Sequence, residues 1–231
     1  RLGSDDHIWA VETKWDRAGH QKPRASRAKG RKPGEWRLPR QPRPGVKIVS
    51  TQIIRERLQG GAWKSGGRWS IPLVGPVRFP PQPVPLDPYV LGVLLGDGSL
   101  QTVGGVTLAS ADPETAEALR HAAPAIRITK HAAKYVYGVS GVKDALANLG
   151  LLSHRAWEKC IPEAYLWNDP AVRLAVLQGL LDTDGTILKH SNSVSYSTTS
   201  ECLAEGVEFL VRSLGGLTKR RMRQTYYSYM G

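Results

Sequence analysis

Between residues 86 and 231 the chain carries one pattern twice, and this repeat limits the possible folds more than any other feature. The first copy reads Asp87-Pro88-Tyr89-Val90-Leu91-Gly92-Val93-Leu94-Leu95-Gly96-Asp97-Gly98. The second contains Leu177-Gln178-Gly179-Leu180-Leu181-Asp182-Thr183-Asp184-Gly185. Gly92 and Gly179, Asp97 and Asp184, and Gly98 and Gly185 are each 87 residues apart. A strand candidate follows each copy, Val106-Thr107-Leu108 and Val194-Ser195-Tyr196, and a helix candidate follows each strand, around 113–121 and 201–214. Two αβ-type units of nearly equal length are expected in tandem.

Both copies read as helices. Asp87-Pro88 and Asp169-Pro170 each place a capping carboxylate ahead of a proline at the first helical position. Each helix is expected to stop at Asp-Gly. A glycine inside a helix costs about 1 kcal/mol relative to alanine. Gly92 and Gly179 incur that cost at the same register, which predicts a seam where two helix backbones nearly touch. Side-by-side packing then brings Asp97 and Asp184 together at the C-terminal ends. Those ends expose backbone carbonyls and carry partial negative charge. Two carboxylates there suit a hard cation such as Mg2+, with Mn2+ as a substitute. Asp182 lies two residues before Asp184, about 200° round the helix, and is expected to face elsewhere.

The segments VLGVLLGDG (90–98) and LQGLLDTDG (177–185) resemble the paired dodecapeptide motifs of LAGLIDADG homing endonucleases. The second is close to the family pattern. The first has Leu95 and Gly96 where the family has Asp and Ala, but it keeps the last acidic residue. The resemblance implies catalytic, metal-binding roles for Asp97 and Asp184, with Gly92, Gly179, Gly98 and Gly185 at the helix interface. Lys159-Cys160-Ile161-Pro162 is similar to the family's Lys-x-Ile-Pro block and makes Lys159 the active-site lysine. Further back, Ser4-Asp5-Asp6-His7 before the strand Ile8-Trp9-Ala10-Val11 resembles a block of intein splicing domains, implying splicing roles for Ser4 and His7. Arg1 is not a splicing nucleophile, and Tyr229-Met230-Gly231 is not a His-Asn pair, so the chain reads as an internal piece without splice termini.

The expected fold is therefore α+β: two pseudo-symmetric αββ-type halves around paired helices (86–168 and 169–231, the second truncated), preceded by a partial β-rich splicing segment with a basic arm and linker (1–85). The implied activity is a metal-dependent double-strand cut in a long, weakly palindromic DNA target. A host protein would flank the chain in its precursor. The alternatives are a LAGLIDADG-type protein that binds DNA without cutting and a splicing element with a decaying endonuclease. In the family the sheets lie along the major groove. Thr107, Lys130, Lys189, Ser195, Tyr196, Ser197 and Thr198 stand on or beside strand candidates, and Lys219, Arg220, Arg221 and Arg223 form a basic run for phosphates.

Charge agrees in sign with a nucleic-acid partner. The formal net charge is +12. Residues 1–85 hold 18 Lys and Arg against 6 Asp and Glu, whereas residues 86–231 hold 14 of each. A basic, Pro- and Gly-rich leader fits either phosphate contacts or a solvated arm. Ser193-Val194-Ser195-Tyr196-Ser197 alternates as a strand with one buried and one wet face does. Cys160 and Cys202 are too few for a disulfide framework, so two unpaired, buried thiols in a reducing bacterial or phage-host cytoplasm are expected. No apolar run is long enough for a membrane span, and a monomer is expected.

Overall fold

The computed structural model describes residues 8–13, 47–59, 69–188 and 193–224. Two compact units divide the chain, residues 1–73 and 74–231. Ser4, His7 and Lys189 lie outside the described residues.

The first unit is a small antiparallel sheet with one helix. Strands β1 (Ile8–Thr13), β2 (Lys47–Ser50) and β3 (Trp69–Ser70) pair in the order β2-β1-β3. Helix α1 (Thr51–Gln59) starts where Ser50 Oγ accepts the Ile53 amide at 3.3 Å. Trp9 Nε1 donates to Thr51 Oγ1 at 2.9 Å, tying the sheet to the helix start.

The second unit is built around two helices, α2 (Pro88–Asp97) and α6 (Pro170–Asp184). Asp87 accepts from the amides of Tyr89 and Val90, and Asp169 from those of Ala171 and Val172, so both N-terminal signals act as the sequence suggests. Every residue from Val90 to Leu95 is buried. A helix apolar all round has to sit inside the protein. After α2 come β4 (Gly98–Leu100), β5 (Val106–Ala109), α3 (Pro113–Ala122), β6 (Arg127–Lys130), β7 (Val136–Ser140) and the short helix α4 (Lys143–Asn148). Their sheet is antiparallel in the order β4-β5-β7-β6. A 3-10 turn (Ala156–Glu158) and α5 (Glu163–Leu166) lead into α6. Then a hairpin, β8 (Gly185–Ile187) with β9 (Val194–Tyr196), is followed by α7 (Glu201–Ser213). Helix, hairpin and helix thus recur in the same order after each repeat copy.

Register explains which face is wet. Val106, Val139 and Ile128 lie side by side across β5, β7 and β6, all buried. The next row, Ser99, Thr107, Gly138 and Thr129, points the other way. Side chains alternate along a strand, so Lys130 shares the pleat face of Ile128 rather than that of Thr129. The alternation expected in β9 does not hold: Val194 is 55% exposed and its cross-strand partner Ile187 is 79% exposed. Among the described residues this sheet has two strands, too little surface to bury a full face.

The proline-rich stretch before α2 is extended and packs on this unit. Gln82 and Asn168 exchange hydrogen bonds, with the Gln82 amide donating to Asn168 Oδ1 at 3.1 Å and Asn168 Nδ2 to the Gln82 carbonyl at 2.9 Å. Arg173, fully buried, donates to the carbonyls of Asn168 and Val77 and to Ser213 Oγ. Among the described residues, no helix is long and apolar enough to cross a membrane.

Candidate active site at the paired helix ends

The close approach of α2 and α6 follows from their glycines. A Cβ built on Gly92 would overlap the Val176 carbonyl, and one on Gly179 the Tyr89 carbonyl. Gly179 Cα is only 3.0 Å from the Gly92 Cβ position, so backbone meets backbone with no side chain between. Gly98 and Gly185, expected in the same interface, have another reason to be glycine. Their φ angles are −80° and −86°, extended and not left-handed. A Cβ at either would run into its own helix, at Leu94 or Leu181. The chain turns sharply from helix into strand there and leaves no room for a Cβ.

This seam brings the acidic ends together. The Cβ position of Gly96 overlaps the Thr183 hydroxyl and lies 3.2 Å from Asp184 Oδ2. The Asp184 carboxylate therefore sits against the residue preceding Asp97. Burial raises the Asp97 carboxyl above its usual range, with Lys159 pulling it back. Burial raises Asp184 too, and the negative charge of Asp97 raises it further against the pull of Lys159. Desolvation and like charge both oppose ionisation. Asp182 points away, as its position on the helix implies, and accepts from the Tyr89 hydroxyl at 2.8 Å.

Lys159 is not at the surface. It is 4% exposed, and its ammonium donates to four carbonyls at the end of α2: Leu94 at 3.2 Å, Leu95 at 2.9 Å, Gly96 at 3.2 Å and Gly98 at 2.7 Å. A helix end leaves its last carbonyls without intrahelical partners; the lysine serves these, and adds a second donor to Leu94, which already accepts the Gly98 amide. Burial lowers its pKa to about 8, against the opposing pull of Asp184 and Asp97.

Three consecutive residues fix that lysine to the start of α7. Ser200, the N-cap of α7, donates to the Lys159 carbonyl at 2.7 Å. Ile161 packs where a Cβ on Gly206 would come within 2.9 Å of its Cδ1. Cys160 and Cys202 form a disulfide with Cα atoms 5.3 Å apart. The expectation of two unpaired, buried thiols is overturned. The chain path returns to α7, bringing together cysteines 42 residues apart in sequence, and Cys202 is exposed.

The donor set fits a hard divalent ion. Two carboxylates lie at paired helix ends, and Mg2+ commonly takes one or two carboxylates and keeps several waters. Among the described residues no group of three or more His, Cys, Asp or Glu forms a fuller ligand cage.

The remaining expected contacts separate. Lys219, Arg221 and Arg223 are exposed. Arg220 is exposed as well, but its guanidinium is 3.1 Å from Glu205 and 3.9 Å from Glu208 on α7. Tyr196, expected toward DNA, instead packs on the core with its hydroxyl buried, opposite Gly185 in the hairpin. Gly96, Ser200 and the cysteine pair are parts of the site that sequence reasoning missed. The available signals were a third glycine in the first motif and a cysteine just after each of Lys159 and the Ser200-Glu201 helix start.

Residues 171–229, which include the second acidic helix end, match the LAGLIDADG-like domain. The chain thus carries a LAGLIDADG-like domain in an α+β setting. Over 130 residues, 56% of the chain, it is 34% identical to part of the replicative DNA helicase DnaB of Mycobacterium intracellulare. Over 69 residues, 28% of the chain, it is 42% identical to part of the ATP-dependent DNA helicase Hel308 of Thermococcus kodakarensis. These alignments span 19% and 6% of those two proteins.

Proposed function

We propose that this chain is a site-specific DNA endonuclease of the LAGLIDADG type, that it cuts both strands with Mg2+ or Mn2+, and that it is carried within an intein. One observation supports the cutting reaction above all others: two half-buried carboxylates, Asp97 and Asp184, meet at a glycine-seamed helix pair. A divalent ion bound there would supply an activated water and charge neutralisation at the phosphate. Asp97 and Asp184 offer the ligand oxygens. Lys159 holds the end of α2 in place and lends positive charge to a site that must accept phosphate. Hydrolysis consumes one water per strand and leaves a phosphate monoester and a free hydroxyl, with no covalent enzyme intermediate.

The outward row of the four-stranded sheet supports DNA as the substrate. Ser99, Thr107 and Thr129 form a polar strip, and Arg127 shares their side of the sheet. A major groove admits such a surface and presents a full donor and acceptor code. Lys219, Arg221 and Arg223 are free to meet phosphates, and the basic excess of residues 1–85 adds to that attraction.

The intein reading draws on the pattern of relatives. Two differently named helicases share stretches with this chain over small fractions of their lengths. An element inserted within genes for DNA-handling proteins produces such partial matches. The block Ser4-Asp5-Asp6-His7 agrees with it, and the host would then be a protein of that kind.

The test is a supercoiled plasmid carrying the uninterrupted form of the gene that surrounds the coding sequence. Linear product with Mg2+, none with EDTA, and none from Asp97→Asn or Asp184→Asn is expected. A plasmid retarded in gels but left supercoiled with Mg2+ would identify a DNA-binding protein that does not cut.

A further inference from the structure

The two hairpins that follow the acidic helix ends differ at one matched position. In the first, Gly98 lies opposite Leu108; in the second, Gly185 lies opposite Tyr196. Leu108 is completely buried, so packing at this position is met by an aliphatic side chain. Tyr196 also packs against the core but brings a hydroxyl. That hydroxyl is buried and has no hydrogen-bond partner among the described residues, although Thr198 lies close by. Buried polar atoms are nearly always satisfied, and an exception needs a reason. Tyr196 stands opposite Gly185, so the carboxylate next along the paired strand is Asp184. A phenol keeps its proton at neutral pH, so the hydroxyl is available as a donor.

We propose that Tyr196 is a positioning residue for the Asp184 side of the site, donating a hydrogen bond to that carboxylate when it turns to hold a divalent ion. The proposal rests on the reading of Asp184 as a metal ligand. Carboxylates that bind metals are themselves commonly held by hydrogen bonds, and losing such a partner weakens metal binding about 10- to 100-fold. The Asp97 side has no counterpart, because Leu108 carries no donor. Asp97 instead shares its helix end with Lys159.

Tyr196→Phe removes the hydroxyl and keeps the ring. Tyr196→Leu copies the other hairpin. Binding of Mn2+ alone to the full chain, read from the free-ion electron paramagnetic resonance signal, reports on the carboxylates without requiring catalysis. Thermal melting reports on the fold. Mn2+ binding about tenfold weaker in Tyr196→Phe is expected, with a melting temperature no lower than wild type, since the lost hydroxyl has no partner in the metal-free protein. Plasmid cutting by this variant should need about tenfold more Mn2+ to reach the wild-type rate. Wild-type Mn2+ affinity in Tyr196→Phe, alongside lost affinity in Asp184→Asn, overturns the proposal and leaves the nuclease reading standing. Unchanged affinity in Asp184→Asn overturns both.

Discussion

The Ser200 hydroxyl donates a 2.7 Å hydrogen bond to the backbone carbonyl of Lys159, joining the cap of one helix to the residue that closes the end of another. The next residue along, Cys160, is covalently bound to Cys202. The bridge therefore fastens the lysine's own backbone to α7. In the chain-entropy account, closing a loop of this length stabilises the folded state by about 4 kcal/mol. Reduction, or the pair Cys160→Ser and Cys202→Ser, should lower the melting temperature by about 10 °C. Calorimetry with and without reductant measures this, and thiol titration should find free thiols only after reduction. Identical melting curves under both conditions would show that the bridge contributes nothing.

The seam allows no side chain. Alanine normally stabilises a helix relative to glycine, but Gly92→Ala and Gly179→Ala should each do the reverse, since the added carbon overlaps a carbonyl of the opposite helix. Overpacking of this kind costs about 3 kcal/mol. Urea unfolding of either variant should show a lower midpoint, and a gain in stability would mean that the helices are farther apart than described.

The acidic pair should trade stability for function. Both carboxyls have folded-state pKa values raised by burial. A raised carboxyl binds its proton more tightly when folded, so stability is lost as pH climbs from the unfolded value through the folded one. At neutral pH the ionised pair is a net cost. Asp97→Asn and Asp184→Asn should therefore melt at higher temperature than wild type at pH 7 while losing cutting activity. Mg2+ should raise the wild-type melting temperature and leave the double variant unchanged.

Lys159 should leave the opposite signature at alkaline pH. Its pKa falls from 10.5 to about 8 on folding because it is buried. Below about 8 both states carry the proton, and the burial cost is felt in full. Between about 8 and 10.5 the folded state releases its proton first, so that cost shrinks and relative stability rises. Melting temperatures at pH 7.5 and 9.5 should show this rise in wild type, and Lys159→Met should lack it. The same variant takes one donor from each of four carbonyls at the end of α2, of which Leu94 keeps the Gly98 amide, at a cost of about 3 kcal/mol at neutral pH.

Local chemistry by itself determined the helix pair. Aspartate before proline sets each start, Asp-Gly sets each stop, and a glycine at the same register in both copies demands a close seam. These signals act within a few residues, so the placement of Asp97 against Asp184 could be read before any coordinates. The direction of Asp182 could be read as well, since helical rotation fixes it. What Lys159 does with its charge was decided by tertiary structure, because its four acceptors lie 61 to 65 residues away. The Cys160–Cys202 bridge arises the same way, from a chain path that no spacing rule encodes. The orientation of Tyr196 needed the fold too: a tyrosine on a short strand can face groove or core, and the pairing of β9 with β8 set it opposite Gly185 and against the core.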